Sequence, residues 1–299
     1  VRSSAAEHLT FVAASGAGAL LVVGALTALV LPLVEGQRQG WPLWTWACLA
    51  GAVVLADLAW LRGRSLRRRG VTPLVDPVPL RTRPVGVGTL GQALLFTGMA
   101  AYFLVLALYL QDGRGLGPLA SGAVFTVVAA SYMVGTSRAP ALLARLGARA
   151  TVAGSALVFG AGHLLLLVVV DRVGTGGSVV WLVPGLAVGG LGMGVVLAAL
   201  VGTVMGSADP RHAGTISGMS STVQQVGNAL GVALVGIVFF GRIDPGAVGG
   251  GMVEAFGASL VYLTVTTVAV AAAAAFLPGR RPSTAAQSVK VASSSSAAA

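Results

Sequence analysis

Residues 85–110 have the sequence VGVGTLGQALLFTGMAAYFLVLALYL, an apolar run that contains no charged side chain. The run exceeds the roughly 20 apolar residues that a helix needs to cross the hydrocarbon core of a bilayer. It also lacks the alternation of apolar and polar residues that is typical of a membrane β-strand. This stretch therefore predicts a transmembrane helix.

Similar apolar runs recur along the rest of the chain. We predict helical spans over residues 11–34, 43–61, 85–110, 118–143, 151–170, 179–206, 213–240 and 254–277. The composition agrees, since only 9% of the 299 residues are charged, against roughly 25% in soluble domains. The sequence thus predicts an all-α polytopic membrane protein with eight transmembrane helices.

The basic residues predict how these spans are oriented. With the predicted spans, 15 of the 19 Lys and Arg residues fall on one side of the membrane. Because basic loops remain in the cytoplasm, we expect a multi-pass plasma-membrane protein with both termini of this chain cytoplasmic. The net charge of +10 does not indicate nucleic-acid binding, since no soluble domain is present to carry a basic face.

Charge and composition also divide the chain into segments. Residues 62–84 begin with five Arg within eight residues and form a predicted basic cytoplasmic linker after two helices in 1–61. Residues 85–277 hold six spans in two triplets of opposite orientation, the plan of an inverted-repeat transporter bundle. Residues 278–299 are rich in Ser and Ala and are predicted to be a disordered cytoplasmic tail.

Four sequence passages carry a resemblance to a known family. They are EGQRQGW at 35–41, PLVDPVPLRTR at 73–83, LLARLGAR at 142–149 and RHAGTISGMSSTVQQVGNALG at 211–231. In this order, and over nearly the whole chain, they resemble the fourteen-span drug:proton antiporter branch of the major facilitator superfamily. The resemblance implies the C-terminal half of that fold, preceded by two extra helices.

The resemblance also implies a function and partners. It implies proton-coupled efflux of drugs or other amphipathic small molecules by alternating access, with the lipid bilayer, a small-molecule substrate and protons as partners. The family's N-terminal six-helix half is absent from this sequence, so we expect it as a further partner. Residue 1 is Val, and we expect the chain to begin within a longer protein. A truncated, non-transporting membrane remnant or an assembly subunit is the alternative.

A predicted gating loop lies between the fourth and fifth spans. Its residues are Arg138, Arg145, Gly147 and Arg149, and Gly147 permits a tight turn. In the family, an Asp in this loop helps to lock the cytoplasmic side. This chain has Ala144 at that position, so any lock uses other partners. The alternative is that these arginines serve only as topology signals.

The seventh span carries a narrow polar stripe. Ser217, Ser221, Gln224 and Asn228 fall within about 60° of one another on a helix with 100° per residue. Such a stripe lines a cavity, as we favour for Gln224 and Asn228, or packs against neighbouring helices. Packing is the favoured interpretation for the glycines at GxxxG spacing, which are Gly214, Gly218, Gly227 and Gly231.

The third span predicts an apolar substrate-lining face. Gln92, Phe96, Met99 and Phe103 lie on one side of that helix, and Met and aromatic side chains adapt to varied apolar ligands. Ordinary helix packing or lipid contact is the competing interpretation. The sixth span is rich in glycine between Pro184 and Gly194, which suits either a gating helix or close packing without movement.

Ionisable residues inside the predicted spans are few. His163 is the proton-carrier candidate, against the alternative of a neutral His that is hydrogen-bonded to a neighbouring helix. Ser217 and His163 are residue types that a protease dyad uses, but nothing in the sequence orients the two residues. The single cysteine, Cys48, excludes an internal disulfide framework. We therefore predict no enzyme activity, no cofactor and no metal.

Overall fold

The structure is a computed structural model that describes residues 42–68, 82–207, 213–243 and 251–277, with separate helical positions between 18 and 36. Much of predicted span 11–34 lies outside the described residues. So do most of the predicted linker and the whole of the predicted tail. The organisation into segments therefore stays a prediction.

The described part of the chain is predominantly helical and contains no strand. The helices are α1 (Leu43–Arg68), α2 (Arg83–Leu108), α3 (Pro118–Val173), α4 (Val183–Gly206), α5 (Ala213–Phe240) and α6 (Met252–Ala274). A π-helical turn over Tyr109–Gly113 extends α2, and a 3₁₀ turn over Val179–Leu182 precedes α4. All six helices are long and apolar enough to cross a membrane, so the predicted multi-pass class is confirmed.

The helix α3 consists of two antiparallel arms that meet at Gly147. Gly147 has φ 80° and ψ 169°, which breaks the helix in a conformation that suits glycine. Gly135 lies against Leu191 of α4, while Phe159 lies against the adjacent Gly192. In one continuous helix Gly135 and Phe159 would be about 36 Å apart, so the chain must reverse between them.

The two arms of α3 therefore correspond to the predicted fourth and fifth spans. The predicted turn at Gly147 is confirmed, and α2, α4, α5 and α6 match the other predicted spans of the C-terminal region. The total of eight spans stays a prediction, because residues 11–34 are only partly described. The largest difference in a boundary is at α1, which continues to Arg68, seven residues into the predicted linker, since Leu and Arg are good helix formers.

The five helices α2–α6 share one core, whereas α1 stands largely apart from it. In the core, α4 packs between the two arms of α3, and α2 packs against α5 and α6. On α1, large side chains such as Trp46, 59% exposed, and Leu61 face outward. Bilayer or another partner must cover this apolar surface.

Hydrogen bonds at the π-helical turn Tyr109–Gly113 connect the end of α2 with the loop before α4. The Tyr109 hydroxyl donates to the Gly174 carbonyl oxygen over 2.7 Å, and its ring stacks on Phe256 with centroids 4.3 Å apart. The Arg114 guanidinium donates to the Tyr109 hydroxyl over 3.1 Å and to the carbonyl oxygen of Gly177. The loop before α4 is thereby fixed to the ends of α2 and α6.

Candidate functional site

A cavity of about 310 Å³ lies between α2, the first arm of α3 and α4. It is lined by Met99, Phe103, Phe125, Val128, Ala129, Tyr132 and Met193. Only apolar atoms face the cavity, so the Tyr132 hydroxyl points elsewhere. The volume is at the lower end of the range typical of small-molecule sites, which is roughly 300–1,000 Å³.

Two aromatic rings and two methionines give the cavity its character. The rings of Phe103 and Phe125 have centroids 6.0 Å apart and are tilted by 31°. Met99 comes from α2 and Met193 from α4. Thioether and aromatic groups adapt to apolar ligands of different shape. The wall offers no hydrogen bond or charge, so a group bound here must itself be apolar.

The predicted face of α2 divides between this cavity and a different environment. Met99 and Phe103 line the cavity, as the sequence suggested, but Gln92 and Phe96 do not. Phe96 packs against Gly227 of α5. Gln92 is completely buried, and neither atom of its amide has a hydrogen-bond partner in the described chain. The other lining residues were not predicted, because only the packing of three helices brings them together.

The polar stripe of α5 lies outside this cavity. Ser217 and Ser221 are exposed, whereas Gln224 and Asn228 are half-buried. None of the four is among the lining residues of the cavity. Their common face is open in the described chain, and their role in substrate binding stays a prediction.

The glycines of α5 behave in two ways. A Cβ at Gly227 would lie 2.8 Å from the Ala93 carbonyl oxygen, and one at Gly231 would meet the backbone of Thr97. The packing prediction is therefore confirmed for these two. At Gly214 and Gly218 no described atom lies within 4 Å of a Cβ, so close packing at these two glycines stays a prediction. On this face, the described chain places no close neighbour beside the N-terminal part of α5.

His163 lies in a buried aromatic block rather than at a polar contact. It is 1% exposed, and neither ring nitrogen has a hydrogen-bond partner in the described chain. Its ring lies 5.2 Å from that of Tyr102 and 4.4 Å from that of Phe159, centroid to centroid. Among the described residues, His163 therefore makes no interhelical hydrogen bond, and the structure shows no contact between His163 and Ser217.

One residue of the predicted gating loop, Arg149, contacts another helix end. The Arg149 Nε donates to the Leu277 carbonyl oxygen over 3.1 Å, which joins the second arm of α3 to the end of α6. Arg138 and Arg145 are exposed. Backbone at a helix end thus serves as a partner for Arg149 in a loop with Ala144 in place of Asp.

Comparison with known proteins assigns this helical bundle to a family. The family model for the Major Facilitator Superfamily matches residues 4–232. The chain belongs to that superfamily. Both the family suggested by the four sequence passages and a membrane-transporter fold are thereby confirmed.

Several proteins that are similar to this chain carry names that refer to drug transport or drug resistance. The chain is 37% identical over 228 residues to the probable actinorhodin transporter of Streptomyces coelicolor, covering 76% of this chain and 39% of that protein. It is 31% identical to the puromycin resistance protein pur8 of Streptomyces alboniger, over 75% of this chain and 44% of that protein. It is 26% identical to the multidrug resistance protein Stp of Mycobacterium tuberculosis, over 74% of this chain and 40% of that protein.

The chain spans about two fifths of the length of these relatives. The family match ends at residue 232, so it includes α1–α4 and residues 213–232 of α5. The activity of a whole transporter therefore does not follow from this chain alone.

Proposed function

We propose that the protein carrying this chain exports lipophilic small molecules from the cell by alternating access. Residues 85–277 form its C-terminal six-helix bundle, and residues 1–61 form two additional helices joined to it by the linker 62–84. A six-helix N-terminal half completes the transporter. The names of the relatives, which refer to antibiotic and multidrug resistance or export, support this proposal.

The observation that carries the proposal is the apolar cavity. Its walls come from α2 and the first arm of α3, which belong to the first predicted triplet, and from α4, which begins the second. Transporters with inverted repeats bind substrate where their repeats meet. A cavity at that junction, lined by Met and Phe side chains, suits an aromatic or aliphatic portion of a drug.

The open polar face of α5 supports the proposed partner. Ser217 and Ser221 are exposed on a helix that is long and apolar enough to cross a membrane. Polar side chains at that depth avoid lipid and face protein or a water-filled cavity. The proposed N-terminal half supplies the protein contact, and the translocation path between the two halves supplies the water-filled cavity. Gln224 and Asn228, on the same stripe, line that path.

Proton coupling and orientation complete the proposal. The basic linker and the basic loop that contains Arg145 lie in the cytoplasm, together with both termini of this chain. His163 is the proton-carrier candidate of this half. Because it is enclosed by Tyr102 and Phe159, a proton reaches it only in a conformation that separates these rings. No catalytic or cofactor chemistry is part of the proposal.

Efflux measured in cells tests the proposed function. The protein, as its source cells express it, is produced in a bacterial host that lacks its own drug exporters, and retention of puromycin is compared with a vector control. We expect lower retention, reversed by a protonophore. Equal retention with and without the protein would contradict export of puromycin. Lower retention that is insensitive to the protonophore would contradict proton coupling alone.

Two methionine variants test whether the cavity binds substrate. Met99→Ala removes apolar contact with the cargo, whereas Met133→Ala changes an exposed Met on the outer surface of the neighbouring arm. We expect Met99→Ala to raise the KM for puromycin efflux roughly tenfold, the effect of losing part of a buried side-chain contact. Equal KM values for the two variants would remove the cavity from the substrate path.

A further inference from the structure

Four buried polar side chains on α2 and α5 have no hydrogen-bond partner in the described chain: that of Tyr102, whose ring lies against Phe159 and His163 of α3, and those of the smaller Thr89, Gln92 and Ser220. Thr89 is 6% exposed, Gln92 is 0% exposed and Ser220 is 6% exposed. The Thr89 and Ser220 hydroxyls and both atoms of the Gln92 amide are unpaired within the described chain. Buried polar groups are nearly always hydrogen-bonded, so each such group needs an explanation.

The two helices bring these side chains to one stretch of their seam. Gly227 of α5 meets Ala93 of α2, and one turn further on Gly231 meets Thr97, so the two helices run parallel in this region. At the other end of the seam, Val85 and Ile216 belong to one buried cluster with Val204 of α4. If the register of the two glycine contacts is continued, Ser220 lies about 4.5 Å before Thr89 and about 9 Å before Gln92 along the helix axis. The three positions therefore lie within two helical turns of one another.

The described neighbours on the α4 side are aliphatic, since Gly88 lies against Val204 and Gly91 lies against Leu200. Several other hydroxyls in the bundle bond to their own helix. The Thr97 hydroxyl donates to the Ala93 carbonyl oxygen, and the Ser259 hydroxyl donates to that of Ala255, both over 2.8 Å. Thr89 and Ser220 do not make this local bond, which leaves them free for another partner.

The site lies on the same face of α2 as the apolar cavity. Gln92 and Met99 are two turns apart, so their Cα atoms are separated by about 10 Å along the helix. The polar atoms comprise two hydroxyls, one amide donor and one amide acceptor. They carry no charge, and so they match an uncharged hydrogen-bonding group better than an ion.

We infer that Thr89, Gln92 and Ser220 form a recognition site for an uncharged polar group of the cargo, such as a hydroxyl, ketone or carboxamide. This inference rests on the proposed function. It implies a cargo with two parts: an apolar portion in the cavity near Met99 and a neutral polar group held between α2 and α5. Affinity for the apolar portion and selectivity for the polar group then depend on different residues.

Binding of two related probes tests this inference. The full protein is purified into lipid nanodiscs, and the binding of 1-hydroxypyrene and pyrene is measured by fluorescence titration. We expect the wild-type protein to bind 1-hydroxypyrene roughly two- to tenfold more tightly, the usual effect of one net hydrogen bond. Gln92→Met, Thr89→Val and Ser220→Ala should each reduce this preference and leave pyrene affinity unchanged.

A stability measurement separates recognition from a structural role. Replacing an unpaired buried polar group by an apolar one of similar shape should leave the melting temperature unchanged or raise it. Ser259→Ala, which removes a hydroxyl bonded within its own helix, is the matched control and should leave the probe preference intact. Lower melting temperatures with an unchanged preference would show that the three groups are structural and would overturn the inference.

Other outcomes keep this inference separate from the proposed function. A wild-type protein that binds both probes equally, or binds neither, overturns the recognition site even if it exports puromycin. A protein that prefers 1-hydroxypyrene through Gln92, but does not lower puromycin retention, supports the site and contradicts export of puromycin. Should Gln92→Met fail to fold, Thr89→Val and Ser220→Ala provide the same comparison with smaller changes.

Discussion

The helices α4 and α5 use glycine in opposite ways, although both carry it at helical spacing. On α4, Gly185 and Gly192 lie against the second arm of α3, while Gly190 and Gly194 lie against the first arm. On α5, Gly227 and Gly231 meet α2, but Gly214 and Gly218 face open space in the described chain. Glycine thus lets α4 pack closely against both arms of α3, whereas the end of α5 that carries Gly214 and Gly218 has no close described neighbour.

This difference predicts which parts of the bundle move together. Helices whose backbones touch cannot slide without new clashes, so α4 and the two arms of α3 should move as one rigid unit. The interpretation of the sixth span as a tightly packed helix is favoured over bending. The N-terminal part of α5, which carries Gly214 and Gly218, has no such close backbone contact in the described chain. Substitutions at single glycines test this difference between α4 and α5.

The largest effect is expected for Gly192→Leu in α4. A Cβ at this position would lie 2.7 Å from the Phe159 Cα and 2.8 Å from the Ser155 carbonyl oxygen. Backbone atoms cannot rotate away, so overpacking should cost about 3 kcal/mol of folding free energy, the upper part of the usual range. Gel filtration and thermal unfolding of the purified protein should show aggregation or a large loss of stability.

The matched control for that variant is Gly154→Leu on the second arm of α3. No described atom lies within 4 Å of a Cβ there, so this variant should elute and unfold like the wild-type protein. If Gly192→Leu were equally stable, the two arms of α3 and α4 would not form a rigid unit.

An intermediate effect is expected for Gly231→Leu in α5. Its Cβ would meet the Thr97 backbone on one side only, so α5 can shift away from α2 at a cost of about 2 kcal/mol. Gly218→Leu, on the open face of the same helix, should leave the melting temperature close to that of the wild-type protein. Similar losses of stability at Gly218 and Gly231 would mean that the N-terminal and C-terminal parts of α5 are equally enclosed.

The sequence predicted the helices better than it predicted their neighbours. Apolar runs define spans because bilayer thickness fixes their length, and the break at Gly147 followed from a glycine between two such runs. Met99 and Phe103 were predicted as lining residues, but Phe125 and Met193 were missed. A cavity depends on how three helices meet, whereas periodicity describes one helix at a time. For the same reason, GxxxG spacing could not separate Gly218 from Gly231.

The smallest effect among the glycine variants, and a stabilising one, is expected for Gly218→Ala. Alanine in a helix interior is favoured over glycine by about 0.5–1 kcal/mol, because glycine loses more backbone freedom on folding. At Gly218 no described neighbour opposes the added methyl group, so the melting temperature of the purified protein should rise slightly. A fall would show that this face is covered. If stability rises while puromycin efflux declines, close approach of another helix during transport, rather than in the resting fold, accounts for the glycine at this position.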